Sequence, residues 1–250
     1  MDDGLLEVLV LVGRPASGKS EIVDYLRRLD ADGRRRRFGL GDLAIFDDFP
    51  LLWAWFEEDA ILESMGQLRL HTDAGGDFVG AHLWDVLVRR LCLGYDKLVS
   101  ADPGLHAHAS VVVEFSRGSE HGGYRRAFAA LSPAVLARAS VLYVRVSFEE
   151  SLRKNRRRFN PDRPHSILEH ALPDDKLRRL YGHDDWDGLE RDADGRIVVG
   201  SQRLPAVTFE NEDDVTTPRG AGLGERLEGC LRRLRELGGG NAPERPGAPA

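Results

Sequence analysis

Cysteine is scarce. Cys92 and Cys230 are the only two in 250 residues. That is too few for a framework of bridges, and they lack the paired spacing of a zinc site, so the chain reads as a protein of the reducing cytoplasm. Long apolar runs are missing too, and nothing approaches the ~20 residues of a membrane helix. The start, Met1-Asp2-Asp3-Gly4, is acidic and leads into a short apolar run, whereas a secretory signal needs a basic start and a longer apolar core. Positive charge is in deficit, at a net −6, which argues against a general nucleic-acid surface. The eight histidines show no cysteine-backed metal spacing; His106-Ala107-His108 comes nearest and is not read as a site. No internal repeat is found.

Apolar residues are present in the proportion, 42%, that lets one soluble domain build a core. Glu7-Val8-Leu9-Val10-Leu11-Val12 reads as a strand covered on both faces. Ile22, Val23, Leu26 and Leu29 then recur at helical spacing. Further strands are predicted at residues 44–46, 111–113, 141–146 and 206–209, with helices at 51–65, 78–99, 124–131, from 148 onward, and 223–237. Asp192-Ala193-Asp194-Gly195 reads as a turn feeding a hairpin and is too short for a calcium loop. Strands alternating with helices predict a parallel α/β sheet with right-handed crossovers. Arg34-Arg35-Arg36-Arg37 is read as a solvated loop, and residues 181–186 as a surface turn. Residues 238–250, rich in Gly, Pro and Ala, read as a disordered tail.

Between the first strand and first helix lies Gly13-Arg14-Pro15-Ala16-Ser17-Gly18-Lys19-Ser20, a Walker A pattern in the context its mechanics require. The glycines allow the tight path that turns successive N–H groups toward phosphate oxygens, and the helix adds its positive end. Lys19 is placed for the β- and γ-phosphates and Ser20 for Mg²⁺, with Glu21 next in line. No nucleophile elbow surrounds Ser17 or Ser20.

Ligands of an open parallel sheet sit beyond the carboxyl ends of its strands, and Asp47, Asp48 and Glu114 all follow predicted strands. Glu114, after Ser110-Val111-Val112-Val113, has the form of a Walker B acid that holds a Mg²⁺-bound water or orients an acceptor; as a plain strand end it only caps a turn. Asp47 or Asp48 is placed to take the acceptor's proton, one facing in and the other out, or else the pair merely caps the helix around Pro50. Arg153, Arg156 and Arg157 share a helix face. They read either as a solvated basic surface or as a lid whose guanidinium forks meet the γ-phosphate, with Arg163 and His165 in the Pro-broken cover that follows.

Together these residues resemble the P-loop kinases of nucleosides, nucleotides and other small molecules, over roughly residues 7–237. The Walker A loop is the specific element. The resemblance implies a three-layer α/β sandwich whose five parallel strands run in the order 2-3-1-4-5. A helical insertion and a small hairpin at about 190–205 accompany it, all within one domain over 1–237 and with a lid at about 153–181. It implies ATP and Mg²⁺, and a nucleoside, nucleotide or sugar-like acceptor; a homodimer is left open. Asp47 or Asp48 resembles the acceptor-site carboxylate. Glu114-Phe115-Ser116-Arg117 resembles the third-strand acid and the arginine that contacts substrate. Phe209-Glu210-Asn211 resembles the loop against the nucleotide base. Residues 51–99 match no one substrate class; Trp53, Trp55, Phe56, Trp84 and Tyr95 either stack on a ligand or pack the core. Two other functions are weighed. A nucleotide-driven switch or motor is disfavoured because Glu114-Phe115-Ser116-Arg117 is no Asp-x-x-Gly switch and Asn-Lys-x-Asp is absent. A toxin- or resistance-type kinase of a nucleotide sugar or antibiotic stays open.

Overall fold

The computed structural model describes residues 4–158 and 172–238. Arg163, His165 and the tail after 238 lie outside the described residues. In chain order the elements are β1 (Val8–Gly13), α1 (Lys19–Arg28), α2 (Ala31–Phe38), β2 (Asp42–Asp47), α3 (Asp48–Ser64), α4 (His82–Ala101), β3 (Ala109–Phe115), α5 (Gly123–Ala130), α6 (Pro133–Leu136), β4 (Ala139–Arg145), α7 (Phe148–Arg158), α8 (Asp174–Tyr181), β5 (Ile197–Val199), β6 (Gln202–Leu204), β7 (Ala206–Glu210) and α9 (Ala221–Gly238).

β1 is apolar at every position before its glycine because neither face sees water. It pairs in parallel with β3 on one side and β4 on the other. β2 and β7 close the edges, giving the order β2-β3-β1-β4-β7. Since β5 and β6 form only a separate antiparallel hairpin, β7 is the fifth core strand and the predicted order holds. The side chains of β1 divide by the two-residue period of a strand. Val8, Val10 and Val12 pack with α4 and α5 on one face, and Leu9 and Leu11 pack with α1, Phe38 and α9 on the other. Ile22 and Leu26, the apolar stripe of α1, are fully buried there, a burial worth about 1.5–3 kcal/mol each.

The structure departs from the sequence reading at three places. Residues 34–37 belong to α2, which Asp30 caps through Gly33 N. Arg34 is 7% exposed and donates to the carbonyls of Leu26, Leu29 and Gly41, so its charge serves helix ends and strand entry, not solvent. Residues 181–186 are no surface turn. Trp186 is buried against Tyr143, rings 4.3 Å apart, and Asp185 caps α5 through the N–H groups of Tyr124 and Arg125. The helix predicted from residue 78 starts only at His82, leaving residues 65–81 irregular. Asp59 fastens that stretch: fully buried in α3, it accepts from the N–H groups of Leu70, His71 and Thr72 and from the Thr72 hydroxyl. Burial alone raises a carboxyl, but these bonds outweigh it and hold Asp59 far below the usual carboxylate range. No helix among the described residues is long and apolar enough to cross a membrane.

Candidate active site

The loop after β1 takes a path only certain residues tolerate. Gly13 has φ +156° and Gly18 φ +111°. A Cβ on Gly13 would stand 2.5 Å from the Val144 carbonyl oxygen, and one on Gly18 2.5 Å from Thr216 Oγ1, so both positions exclude a side chain. The loop is gripped from outside. Asn211 Nδ2 donates to the Ser17 carbonyl at 2.7 Å and to Thr216 at 2.8 Å. Ser151 of α7 donates to the Pro15 carbonyl at 2.8 Å. Arg14 turns away from the loop's interior to bind the Val146 and Tyr181 carbonyls and Asp184. Ser17 Oγ is buried without a hydrogen-bond partner among the described residues. The structure thus places Arg14 and Asn211 as braces of the loop, and adds Thr216, which no sequence motif marked.

Beyond the strand ends lies a cavity of about 440 Å³, with Lys19, Ser20, Glu21, Asp47, Asp48 and Glu114 in its wall. Parallel register brings Asp47 beside Glu114. Both predicted aspartates therefore face the cavity, where the sequence reading turned one outward. Their tasks differ. Asp47 caps α3, accepting from Phe49 N at 3.0 Å; Asp48 is 5% exposed and paired with Arg117 at 2.6 Å. Burial pushes Asp47 up to about 6, with Asp48 beside it adding to the shift. Burial lifts Glu114 to about 7, more than Lys19 draws it down. Burial raises Asp48 as well, against Arg117, and lowers Lys19, against Glu114. Lys19 donates to the carbonyls of Gly13 and Arg14 and to Ser116 Oγ at 2.8 Å.

The insertion between β2 and β3 supplies the rest of the wall. Phe49, Trp53 and Phe56 come from α3, Phe78 from the irregular stretch and Trp84 from α4. The other aromatics divide: Tyr95 is buried in the core, and Trp55 stacks on His71 at 4.8 Å. Of the basic helix, Asn155 and Arg158 line the cavity. Arg153 is bound to Glu150 and Asp214, and Arg157 is exposed on another face of α7. A basic run interrupted only by Asn155 conceals which member faces inward; the only available clue was that residue 158 shares a face with the small Ser151, seven positions back. Lys176 and Tyr181 of α8 also reach the wall, unmarked by any pattern.

No family model matches the chain, and no curated protein matches it significantly. Strand order, parallel pairing and the glycine loop describe one known architecture. The fold is that of the P-loop kinases. Similar solved structures include a sugar kinase from Janibacter sp. HTCC2649 (14% identity, 92% of this chain and 97% of that one, TM-score 0.46). Others are a candidate kinase from Chloroflexus aurantiacus (14% identity, 91% and 98%, TM-score 0.39) and TT1252 from Thermus thermophilus (14% identity, 92% and 95%, TM-score 0.33). Likeness this distant adds nothing about the site, whose chemistry rests on its own geometry.

Proposed function

We propose that the chain is a kinase that transfers the γ-phosphoryl group of ATP to a hydroxyl of a small acceptor. The observation that carries this reading is a single cavity with Lys19 and Ser20 of the glycine loop, three strand-end carboxylates and a wall of aromatic rings. The loop fits a triphosphate: its glycines leave no room for side chains and its Ser17 hydroxyl lacks a partner among the described residues. Among the described residues no three His, Cys, Asp or Glu side chains cluster as a metal site. Ser20 and Glu114 share the cavity wall and would hold Mg²⁺ directly or through water, since this ion keeps waters and takes its other ligands from phosphates. When bound, Mg²⁺ supplies neutralisation of phosphate charge.

Asp47 is the carboxylate suited to receive the acceptor proton. Its value near 6 lies close to working pH, whereas Asp48 is committed to Arg117. The acceptor oxygen bonds to the γ-phosphorus as the bond from phosphorus to the β–γ bridging oxygen breaks. The hydroxyl proton passes to Asp47, and ADP carries away the bridging electron pair. Lys19 and Arg158 offset charge on the transferring group.

The test is ADP formation by the full chain with ATP, Mg²⁺ and pooled small hydroxyl compounds. We expect turnover stimulated by a small compound, stopped by EDTA, and reduced about 10²–10³-fold or more in Lys19→Ala. Stimulation only by a protein or nucleic acid would sink the kinase and favour the switch.

A further inference from the structure

Resting on the kinase reading, the charges in the cavity wall narrow the acceptor. Among the described residues four cations line the cavity: Lys19, Arg117, Arg158 and Lys176. Lys19 belongs to the glycine loop. Arg158 lies within electrostatic reach of Lys19, Asp47 and Glu114, at the end where the transferred group belongs. The other two stand on the acceptor side, and both are engaged. Arg117, 2% exposed, donates to Asp48 and to the Ser116 and Trp84 carbonyls, and its guanidinium lies over the Trp84 ring at 5.1 Å. Lys176 donates to the Gly75 and Gly76 carbonyls and pairs with Asp77 at 3.3 Å.

A phosphate or carboxylate on the acceptor would compete with these pairs: at Lys176 it would displace Asp77, which keeps Arg179, and at Arg117 it would strand Asp48. The Asp48 carboxylate is buried, and a buried charge that loses its partner is strongly destabilised. What the described wall offers the acceptor is ring surface. Phe56 and Phe78 lie 6.1 Å apart at 29°, and Phe78 and Trp84 4.6 Å apart. Behind Trp84, His121 stacks at 3.8 Å. Burial pulls His121 down to about 3, so it too brings no charge. Flat rings gain most from such a wall, through contact area and offset stacking. The volume, shared with the donor's phosphates, suits a compound of one or two rings.

We propose that the acceptor is an uncharged hydroxyl compound with a flat ring and no phosphate or carboxylate of its own, and that Asp48, by occupying Arg117, is the residue that excludes anionic acceptors. Loss of the Asp48 charge should then release the arginine to an incoming anion.

The full chain is titrated without nucleotide, read by tryptophan fluorescence, against matched pairs that differ by one phosphate. A nucleoside with its monophosphate and an aryl alcohol with its phosphate ester serve as pairs, and glucose as a ring without a flat face. We expect at least one uncharged flat-ring compound to bind, with its phosphorylated partner about 30-fold or more weaker and glucose about tenfold or more weaker. Asp48→Asn should narrow the first ratio about tenfold. Phe56→Ala should weaken the flat compound about tenfold while its affinity for a non-hydrolysable ATP analogue, the control for folding, stays within about twofold. The proposal is overturned by a phosphorylated partner that binds as tightly, by glucose binding equally well, by an unchanged ratio in Asp48→Asn, or by no flat-ring compound binding. Transfer is scored separately. Selective binding with no transfer overturns the kinase reading and leaves the cavity's selectivity standing, whereas transfer to a phosphorylated acceptor upholds the kinase and overturns the selectivity.

Discussion

Glu114 and Asp47 show how a position at a strand end becomes chemistry. A carboxylate in water ionises near 4, and here burial raises the two to about 7 and about 6. An acid whose folded value is raised binds its proton more readily folded than unfolded. Between the ordinary 4.5 and about 7 for Glu114 the folded state therefore holds extra proton, and stability falls as pH rises through that window. Ligand-free protein should accordingly lose melting temperature from pH 4.5 to 7, and Glu114→Gln should flatten that slope; an unchanged slope in thermal denaturation would place the raised value elsewhere. Asp47 makes a kinetic counterpart. With saturating ATP, Mg²⁺ and acceptor, kcat should fall as pH drops below about 6. Asp47→Asn should lose about 10²-fold or more with little change in ATP KM. Asp48→Asn should instead show its main effect on acceptor KM, because it holds Arg117. Equal kcat in the wild type and Asp47→Asn would reassign the base.

Among the elements, the insertion between β2 and β3 decides the acceptor cavity, and Asp59 decides the insertion. Its oxygens gather three backbone N–H groups and one hydroxyl from residues 70–72, stability present at all but strongly acid pH because the carboxyl is held so low. Asp59→Ala leaves those buried donors unanswered and should cost about 2–4 kcal/mol in chemical denaturation. In the folded fraction, acceptor KM should rise while ATP KM stays put, since the glycine loop is braced by different residues. A parallel rise in both would mean a global loss. None of this was legible from spacing. An acid that follows Glu57-Glu58 in a helix reads as one more solvent-facing charge, and only the returning chain shows that it is a hub.

At the scale of the whole molecule, the two halves of the cavity are tied through α8. Asp77 of the acceptor side binds Lys176 and Arg179 of α8, and the carbonyl of Tyr181, at the end of α8, accepts from Arg14 of the glycine loop. Filling the loop should therefore steady the molecule as a unit. A non-hydrolysable ATP analogue with Mg²⁺ at 100 times its Kd should add about 2.7 kcal/mol of stability, and Lys19→Ala should remove most of that gain; an undiminished gain would mean binding elsewhere. Much of this scale was legible in sequence. The alternating strands and helices, the two-faced core and the glycine loop follow from hydrophobic period and from the glycines and lysine that the path demands, all local properties, whereas the strand order came from the resemblance to P-loop kinases. Asp47, Asp48 and Glu114 were legible as strand-end acids, because a parallel sheet delivers every strand end to one rim. The sequence alone could not sort Arg158 from its neighbours in α7, or show Arg117 clamped by Asp48 and Arg14 turned to brace its own loop. Nor could it show Trp186 and Arg34 buried where a turn and a loop were expected. Those outcomes depend on which distant residue approaches each side chain, and burial, pairing and the resulting proton affinities exist only once the chain has closed on itself.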